Sequence, residues 1–502
     1  MESQSIRPRF VWPLVILLAL AFQGSRGLWE PDEGRHASIA AAMLDSGDFR
    51  VPRLEGRVFL DKPPLVFWSA AAGIAAFGRN EWAVRLPLAL FFVLAAVGVG
   101  RWGARLWSRE VGERAAWIWA TSLLPFLAGN SLTPDLPLAC AAIWTAFGVV
   151  SAVRAERTRD RWLGWLGAGA AAGAGLLAKG PAMLATLPPL LAFALLDSRA
   201  SRAELRSPRP WLAGSLALVL GGAWYLFVIR RLPGAAEYLV DNQVTGRLVS
   251  SAYQRNAGWQ GALRVYAPTL LLGALPWWPW VAFRLARRPG SWSSKLAAWS
   301  RAARRPEWTL VGLGVALPFA VFALASSKLP FYLLPICAPL AIGFACLLDV
   351  DLWSPRRRLA MALGWCALLL GIKAAAAYAS LGTTVRDSGR LADAIRASPA
   401  GALGIVVVDS QANGLPFYGF ADFHTARSPQ VPYPLFEPSP RLPDALARVG
   451  AEGRPHLMLT SADRADRLAA RLATLGWTCS DPERYLRLVG RVCRQVGAPV
   501  SR

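Results

Sequence analysis

The chain has 502 residues, 54% of them hydrophobic and 17% charged, with 23 Trp; it is too apolar for a soluble enzyme of this length and reads as an integral membrane protein. Its net charge of +23 does not indicate nucleic acid, because the basic residues form no single patch or tail. They recur instead in alternate loops between apolar segments.

Segments 10–24, 82–100, 115–131, 136–152, 162–178, 181–196, 211–229, 263–283, 308–325, 329–348 and 359–379 are each long enough, or nearly so, to cross a hydrocarbon core as a helix. That predicts about eleven crossings. The first segment is short with a basic leader, but no clear small-x-small cleavage site follows, so it reads as a retained anchor rather than a signal peptide. Arg7 and Arg9 precede it. Arg101, Arg105, Arg109 and Arg114 lie in one later loop, Arg154, Arg157, Arg159 and Arg161 in the next but one, and the same parity runs on to Arg356, Arg357 and Arg358. By the positive-inside rule these loops and the N-terminus are cytoplasmic.

Loops of the other parity then face the periplasm or exterior. The first, 25–81, carries Glu30, Asp32, Glu33, Asp61 and Lys62; "NSLTPDLP" adds Asp135, "LLAKGP" Lys179, "VDNQVTGR" Asp241 and Arg247, and "SSKLPFYLLP" Lys328. Ionisable groups beside lipid are costly, so by default they line a cavity or a headgroup site. Pro31-Asp32-Glu33 ahead of "GRHASIAAAML" predicts a helix start with Asp32 as N-cap and Ile39, Ala40, Met43 and Leu44 on an apolar side, suited to lying along the interface. "SGDFRVPRLEGRVF" predicts turns and a short extended segment; "DKPP" holds Asp61 and Lys62 out of helical geometry at the mouth of the apolar segment 65–77. Each residue also has a plain reading: Asp32 as a helix cap, Lys62 as a lysine snorkelling to the headgroups, Asp135 as a turn or cap residue. Their common side of the membrane favours chemistry.

After residue 380 the spans stop. "RLADAIRA" and "ADRADRLAARLATLG" predict amphipathic helices, and "LGIVVVD", "HLMLTS" and "RYLRLVGRV" predict strands, giving a small α/β domain over 381–502 that an odd number of crossings places outside, as a lid or docking domain. His424 and His456 are too isolated in the sequence to indicate a metal site. Cys140, Cys337, Cys346 and Cys366 fall in spans as small core residues. Cys479 and Cys493 flank the last strand in an oxidising compartment, where a bond or two free thiols are both open. "PWWPW" at 276–280 reads as an aromatic belt beside a cytoplasmic Arg loop.

Taken together, "EPDEGRHASIAAAMLDSGDFRVPRLEGRVFLDKPPLVFW", "GRNEWAVRLP", "LTPDLPLA", "GLLAKGP" and "SSKLPFYLLPICAPLA" resemble the signature of the polyprenyl-phosphate-sugar-dependent glycosyltransferases of the GT-C class, among them the aminoarabinose lipid A transferases and the protein O-mannosyltransferases. The resemblance fades near residue 380. It implies a mainly α polytopic membrane protein, GT-C-like, with about 11–13 transmembrane helices. The catalytic domain would be 1–380, including the first loop 25–81, followed by a periplasmic α/β domain over 381–502. By the same resemblance Asp32 is the catalytic-loop aspartate, Lys62 a carrier-phosphate ligand and Asp135 a second active-site acid, while Asp61 stands where relatives often have Glu. The expected catalytic set is Asp32, Glu33 and Asp135, and the expected substrate-binding set is Asp61, Lys62, Lys179, Asp241, Arg247 and Lys328. Two positions depart from the pattern: relatives often read "DEARYA" where this chain has Gly34 and His36, and an acidic-His pair is here Asp241-Asn242.

The expected activity is transfer of a sugar from a polyprenyl phosphate to an extracytoplasmic acceptor in the cell inner membrane, with inversion implied by the family. The acceptor could be lipid A or another glycolipid, a polysaccharide or a protein. Sugar on a lipid phosphate is already activated, so no nucleotide is needed, and the sequence holds no Walker-type loop. Lysine or arginine donors stabilise the leaving phosphate, more strongly at low dielectric, and a carboxylate such as Asp32 can take a proton from an acceptor hydroxyl. A phosphate acceptor would leave Asp32 an orienting role. Asp32, Glu33, Asp61 and Asp135 leave room for a divalent metal, although Lys62 serves the phosphate without one. The competing reading, a lipid or sugar transporter or flippase, predicts internal repeats and mid-bilayer charges, whereas these charges cluster at one face.

Overall fold

The computed structural model describes residues 8–197, 202–241, 246, 256–287, 304–348, 355–382, 386–427 and 435–496. The chain forms two compact units that cut across its linear order: Met1–Ala21, Lys62–Val66 and Leu86–Gly371 in one, Phe22–Asp61, Phe67–Arg85 and Ile372–Arg502 in the other. Most of the first loop therefore falls in the same unit as Ile372–Arg502, while Lys62–Val66 falls in the helical unit.

All eleven apolar segments contain helix, and among the described residues seven helical stretches are long and apolar enough to cross a membrane: Glu81–Leu106, Asp135–Val153, Thr158–Leu196, Pro208–Arg231, Pro306–Leu324, Pro330–Leu347 and Leu359–Ala379. The remaining segments differ from simple spans for local reasons. Val11–Leu20 is short. Segment 115–131 breaks at Ser122, whose extended backbone separates helix Arg109–Thr121 from Leu123–Ala128. Segments 162–178 and 181–196 run together through a 3₁₀ turn, Gly180–Thr186. Around Pro276, segment 263–283 divides into Gly258–Gly273 and Trp277–Arg287. A hydropathy window does not register such breaks, because a proline or an extended residue interrupts the i to i−4 hydrogen bonds without lowering apolarity.

In the helical unit, Asp135–Val153 and Thr158–Lys179 are joined by a short loop and packed through small residues. A Cβ on Gly148 would lie 2.8 Å from the Gly164 carbonyl oxygen, and one on Gly164 2.7 Å from the Ala152 nitrogen. Gly173 meets Leu220 and Ala217 of Pro208–Arg231 in the same way. Close approach of backbones replaces a hydrophobic drive that lipid cannot supply. Large residues such as Leu195 and Leu218, 65% and 68% exposed, point outward.

In the second unit, helix Asp32–Ser46 is followed by a hairpin, β1 (Arg53–Leu54) and β2 (Arg57–Val58), whose turn residues Glu55 and Gly56 both have positive φ, as a two-residue primed turn needs. The C-terminal sheet comprises β3 (Gly404–Val408), β4 (Phe423–Ala426), β5 (His456–Ser461), β6 (Trp477–Cys479), β7 (Glu483–Tyr485) and β8 (Leu488–Gln495). Its order is β4-β3-β5-β8-β6, with β7 also paired to β8. β3 is parallel to β4 and β5, whereas β8 is antiparallel to its neighbours. Ile405 and Val407 enter one apolar core with Leu391 and Ile395, while Val406 and Val408 enter another with Leu446, Leu472 and Trp477. Strand alternation thus feeds a core on each face, and each buried aliphatic side chain contributes about 1.5–3 kcal/mol. Cys479 and Cys493 form a disulfide between β6 and β8, the bonded outcome of the two left open by the sequence.

Candidate active site

Asp135 opens one helix of the small-residue hairpin and Lys179 closes the other, so both reach the same end of the pair. The carboxylate and ammonium sit where the two helix dipoles favour them. They form an ion pair in which the side chains are 10% and 8% exposed, and the Lys179 ammonium lies 3.7 Å from the centroid of the Tyr332 ring. Asp135 is not a cap: Pro134 holds that position, with no side-chain cap bond. Next in the chain, Gly180 has φ +62°, and a Cβ there would lie 2.6 Å from the Tyr225 hydroxyl and 3.9 Å from Pro63 Cγ. "TPDLP", "LLAKGP" and "KLPFYLLP", far apart in sequence, therefore meet around one ammonium, and Pro63 lies beside the glycine that follows it.

Lys62 is half-buried beside Pro63. Lys328 is 1% exposed and donates to the Ala325 carbonyl at 2.6 Å, with burial lowering its pKa from the ordinary lysine value. Asp241 is exposed at the C-terminal end of helix Ala235–Val240. Arg247 and Asn242 lie outside the described residues.

The acids of the first loop are set within the second unit. Helix Asp32–Ser46 begins at the expected cap itself: Pro31 takes the cap position in αR conformation, without a side-chain cap bond, and Asp32 is the first helical residue. The proline ring pre-sets a near-helical φ, which lets the helix start at Asp32 rather than after it. Instead of capping, the Asp32 carboxylate, 43% exposed, pairs with Arg35 one turn on. The expected apolar side holds, with Ile39, Ala40 and Met43 buried and Leu44 partly so. Asp61 is 4% exposed.

Glu33 has a different setting. Its carboxylate accepts from Arg26 Nη1 at 2.5 Å, from Arg85 Nε and Nη2 at 3.0 Å each, and from the Trp29 N–H at 3.0 Å. Burial alone would raise its pKa, but the two guanidiniums hold it well below the usual carboxylate range. Arg85 also donates to the carbonyls of Gln23, Arg26 and Gly27, so one buried cation gathers the loop before the helix. Neither Arg26 nor Arg85 was singled out from the sequence; the available signal was an arginine inside the apolar run "EWAVRLP".

Glu30 is also buried. Its Oε1 accepts from Ser388 Oγ at 2.7 Å and the Gly414 N–H at 2.6 Å, while Oε2 has no hydrogen-bond partner among the described residues. Burial pushes this carboxyl up to about 7. A Cβ on Gly34 would lie 2.5 Å from Glu30 Oε1 and 2.9 Å from Gly414 Cα, which accounts for glycine at this departure from the family pattern. His36, the other departure, is buried with its ring edge-on to Phe67 at 5.4 Å between centroids.

Residues 61–225 match the model of the dolichyl-phosphate-mannose-protein mannosyltransferase family. An undecaprenyl phosphate-alpha-4-amino-4-deoxy-L-arabinose arabinosyl transferase of Pectobacterium carotovorum subsp. carotovorum (strain PC1) is 32% identical over 387 residues, covering 76% of this chain and 66% of that protein. A second such transferase, from Sodalis glossinidius (strain morsitans), is 34% identical over 340 residues, 66% of this chain and 57% of the relative. The chain thus spans slightly under two thirds of the length of the first of these relatives and less of the second. In fold it is similar to ArnT from Cupriavidus metallidurans bound to undecaprenyl phosphate, with a TM-score of 0.73, 20% identity and 100% of each chain covered. It is also similar to the archaeal oligosaccharyltransferase AglB from Archaeoglobus fulgidus, with a TM-score of 0.54, 12% identity and coverage of 98% of this chain and 75% of that one.

Proposed function

We propose that the chain is a polyprenyl-phosphate-dependent GT-C glycosyltransferase that transfers a sugar from a polyprenyl phosphate to a glycolipid acceptor at the outer face of the inner membrane, with inversion. The observation that carries the reading is the Lys179 ammonium held between Asp135 and the Tyr332 ring beside the Lys62-Pro63 turn. A largely desolvated cation held in place is suited to a phosphate whose charge grows as it leaves.

In the proposed reaction an acceptor oxygen attacks the anomeric carbon while the bond from that carbon to the carrier phosphate oxygen breaks. The bonding electrons leave with the phosphate. Lys62 and Lys179 take up the developing charge, with Lys328 supporting the same role; Asp135 orients Lys179 and Asp61 the turn that carries Lys62. Asp32 removes the proton of a hydroxyl acceptor, or orients an acceptor that is already an anion. The Arg26–Glu33–Arg85 cluster supports Glu33 as a positioning residue rather than a proton acceptor, since both guanidiniums favour its charged form. Asp241 and Arg247 stay in the proposal as substrate contacts by resemblance alone. The alternating Arg loops support placing this chemistry and residues 381–502 in the periplasm.

The test is mass spectrometry of glycolipids, polysaccharides and envelope proteins from cells with and without the gene. A gain of one sugar on a glycolipid is expected. The same gain confined to protein or polysaccharide would change the acceptor, and no gain in any class would return the transporter reading. With the purified chain, Asp32→Asn should lower turnover by about 10²–10⁴ if the acceptor is a hydroxyl while leaving lipid affinity intact. Lys62→Ala should weaken polyprenyl-phosphate affinity by about 1.5–3 kcal/mol. Near-normal turnover in a folded Asp32→Asn protein would remove Asp32 from the chemistry.

A further inference from the structure

The N-terminal ends of three parallel strands hold ligand-type side chains that the sequence scatters. Asp422 directly precedes β4, Gly404 begins β3 and pairs in register with His456 at the start of β5, and Glu452 lies in the approach to β5. Because Gly404 has no side chain, Asp422 can reach across the central strand toward His456. A Cβ on residue 404 would collide with Asp422 Oδ2 and lie 2.6 Å from His456 Cδ2.

His456 is fully buried. Its Nδ1 is 3.1 Å from the Arg454 carbonyl, and a carbonyl only accepts, so Nδ1 bears the proton and Nε2 presents a lone pair. That Nε2 lies 3.6 Å from Asp422 Oδ2 and 3.6 Å from Glu452 Oε2. Nε2 has no hydrogen-bond partner among the described residues, and Asp422 Oδ2 forms an ion pair with Arg454. Three acceptors facing one point, two of them buried, repel one another unless a cation lies between them.

We propose that Asp422, Glu452 and His456 form a site for a divalent transition cation of the Zn²⁺ class, with Arg454 as the internal cation that closes it when no metal is bound. The three candidate ligand atoms lie within 4.8 Å of one another. Bonds of about 2.1 Å to imidazole nitrogen and carboxylate oxygen in a tetrahedron place ligand atoms about 3.4 Å apart, close to the two observed separations, and water would complete the set. The nitrogen ligand selects against Mg²⁺ and Ca²⁺, which prefer oxygen. The surroundings match what metal-bound side chains need: the other His456 nitrogen donates to a backbone carbonyl, and His424 Nε2 is 3.0 Å from Asp422 Oδ1. Arg454 Nη2 lies 2.7 Å from both Asp422 Oδ2 and Glu452 Oε2, so guanidinium and metal compete for the same oxygens.

The competition gives the test opposite signs. The full chain in detergent, stripped with EDTA and desalted, is titrated with Zn²⁺ alone against a chromophoric chelator. Wild type should bind one equivalent that Glu452→Gln and His456→Gln lose or bind at least tenfold more weakly, whereas Arg454→Ala should bind it at least tenfold more tightly. Glu452 is exposed, so Glu452→Gln decides the matter if His456→Gln does not fold. Equal stoichiometry and affinity in all four proteins would place the bound Zn²⁺ elsewhere and overturn the proposal. So would an Arg454→Ala chain no tighter than wild type.

Discussion

Two buried ion pairs, one in each unit, use carboxylates in opposite ways. Glu33 in the second unit receives two guanidiniums and a backbone N–H, whereas Asp135 in the helical unit pairs with one lysine whose other described neighbour is an aromatic face. An ammonium has three protons to donate, and a carboxylate plus a ring do not exhaust them. The first arrangement fixes backbone; the second leaves a cation with donor capacity unused, as the proposed phosphate contact needs. A buried charge is therefore not informative by itself: what separates scaffold from site is the donor capacity left over.

The largest expected effect would break the Glu33 cluster. Glu33→Gln removes the carboxylate that Arg26 and Arg85 share, leaving the more distant Asp387 and Glu81, and should cost about 3–5 kcal/mol of stability, seen as a lower melting temperature or faster proteolysis of the purified chain. If that variant melts like wild type but loses turnover, the contrast inverts and Glu33 joins the chemistry. A somewhat smaller effect concerns Glu30. Its folded carboxyl keeps the proton to about pH 7 against 4.5 for a free one, so its contribution is complete below pH 4.5 and is lost as the pH rises to about 7. At about 1.4 kcal/mol per pH unit the loss is at most about 3.5 kcal/mol, and Glu30→Gln, which keeps the Oε1 acceptor and stays neutral, should flatten it. Melting curves of both proteins between pH 4.5 and 7.5 would show an unchanged slope if Glu30 is not the group. The smallest effect belongs to the helical unit: Lys179→Met should weaken polyprenyl-phosphate affinity by about 1.5–3 kcal/mol and lower the melting temperature less than Glu33→Gln does, because the helix N-terminus still faces Asp135. A large drop in melting temperature would make the Lys179–Asp135 pair a scaffold after all.

Periodicity and hydropathy carried most of the fold. The apolar segments, the Pro-bounded start at 65 and the strands "GIVVV" and "HLMLTS" follow from patterns that span several residues and average out local noise. Strand β4, "FHTA", was missed because four residues with a central histidine carry no alternation strong enough to register. The Asp32 cap failed on a single dihedral at Pro31. Site residues were legible as types near a membrane boundary, but their partners were not: Glu33 and Arg85 are 52 positions apart, and Asp422 and His456 meet only because a register pairs Gly404 with His456. Long-range pairings of this kind leave no trace in a single sequence.

The Glu30 bond to the Gly414 backbone closes a span of 384 positions, and the Glu55 carboxylate reaches Thr425 across 370. Chain synthesis at about 5–20 residues per second needs about 20–80 s to make that stretch. Throughout the interval the first loop has emerged, but the groups that will satisfy Glu30 and Glu55 have not been made. This early loop is therefore among the last segments to become ordered, and a chaperone or protease meets it first as an unfinished loop. Chains stopped before Ser388 should show the 26–57 segment far more open to proteolysis than the completed protein does, and equal protection in both would remove this order of events.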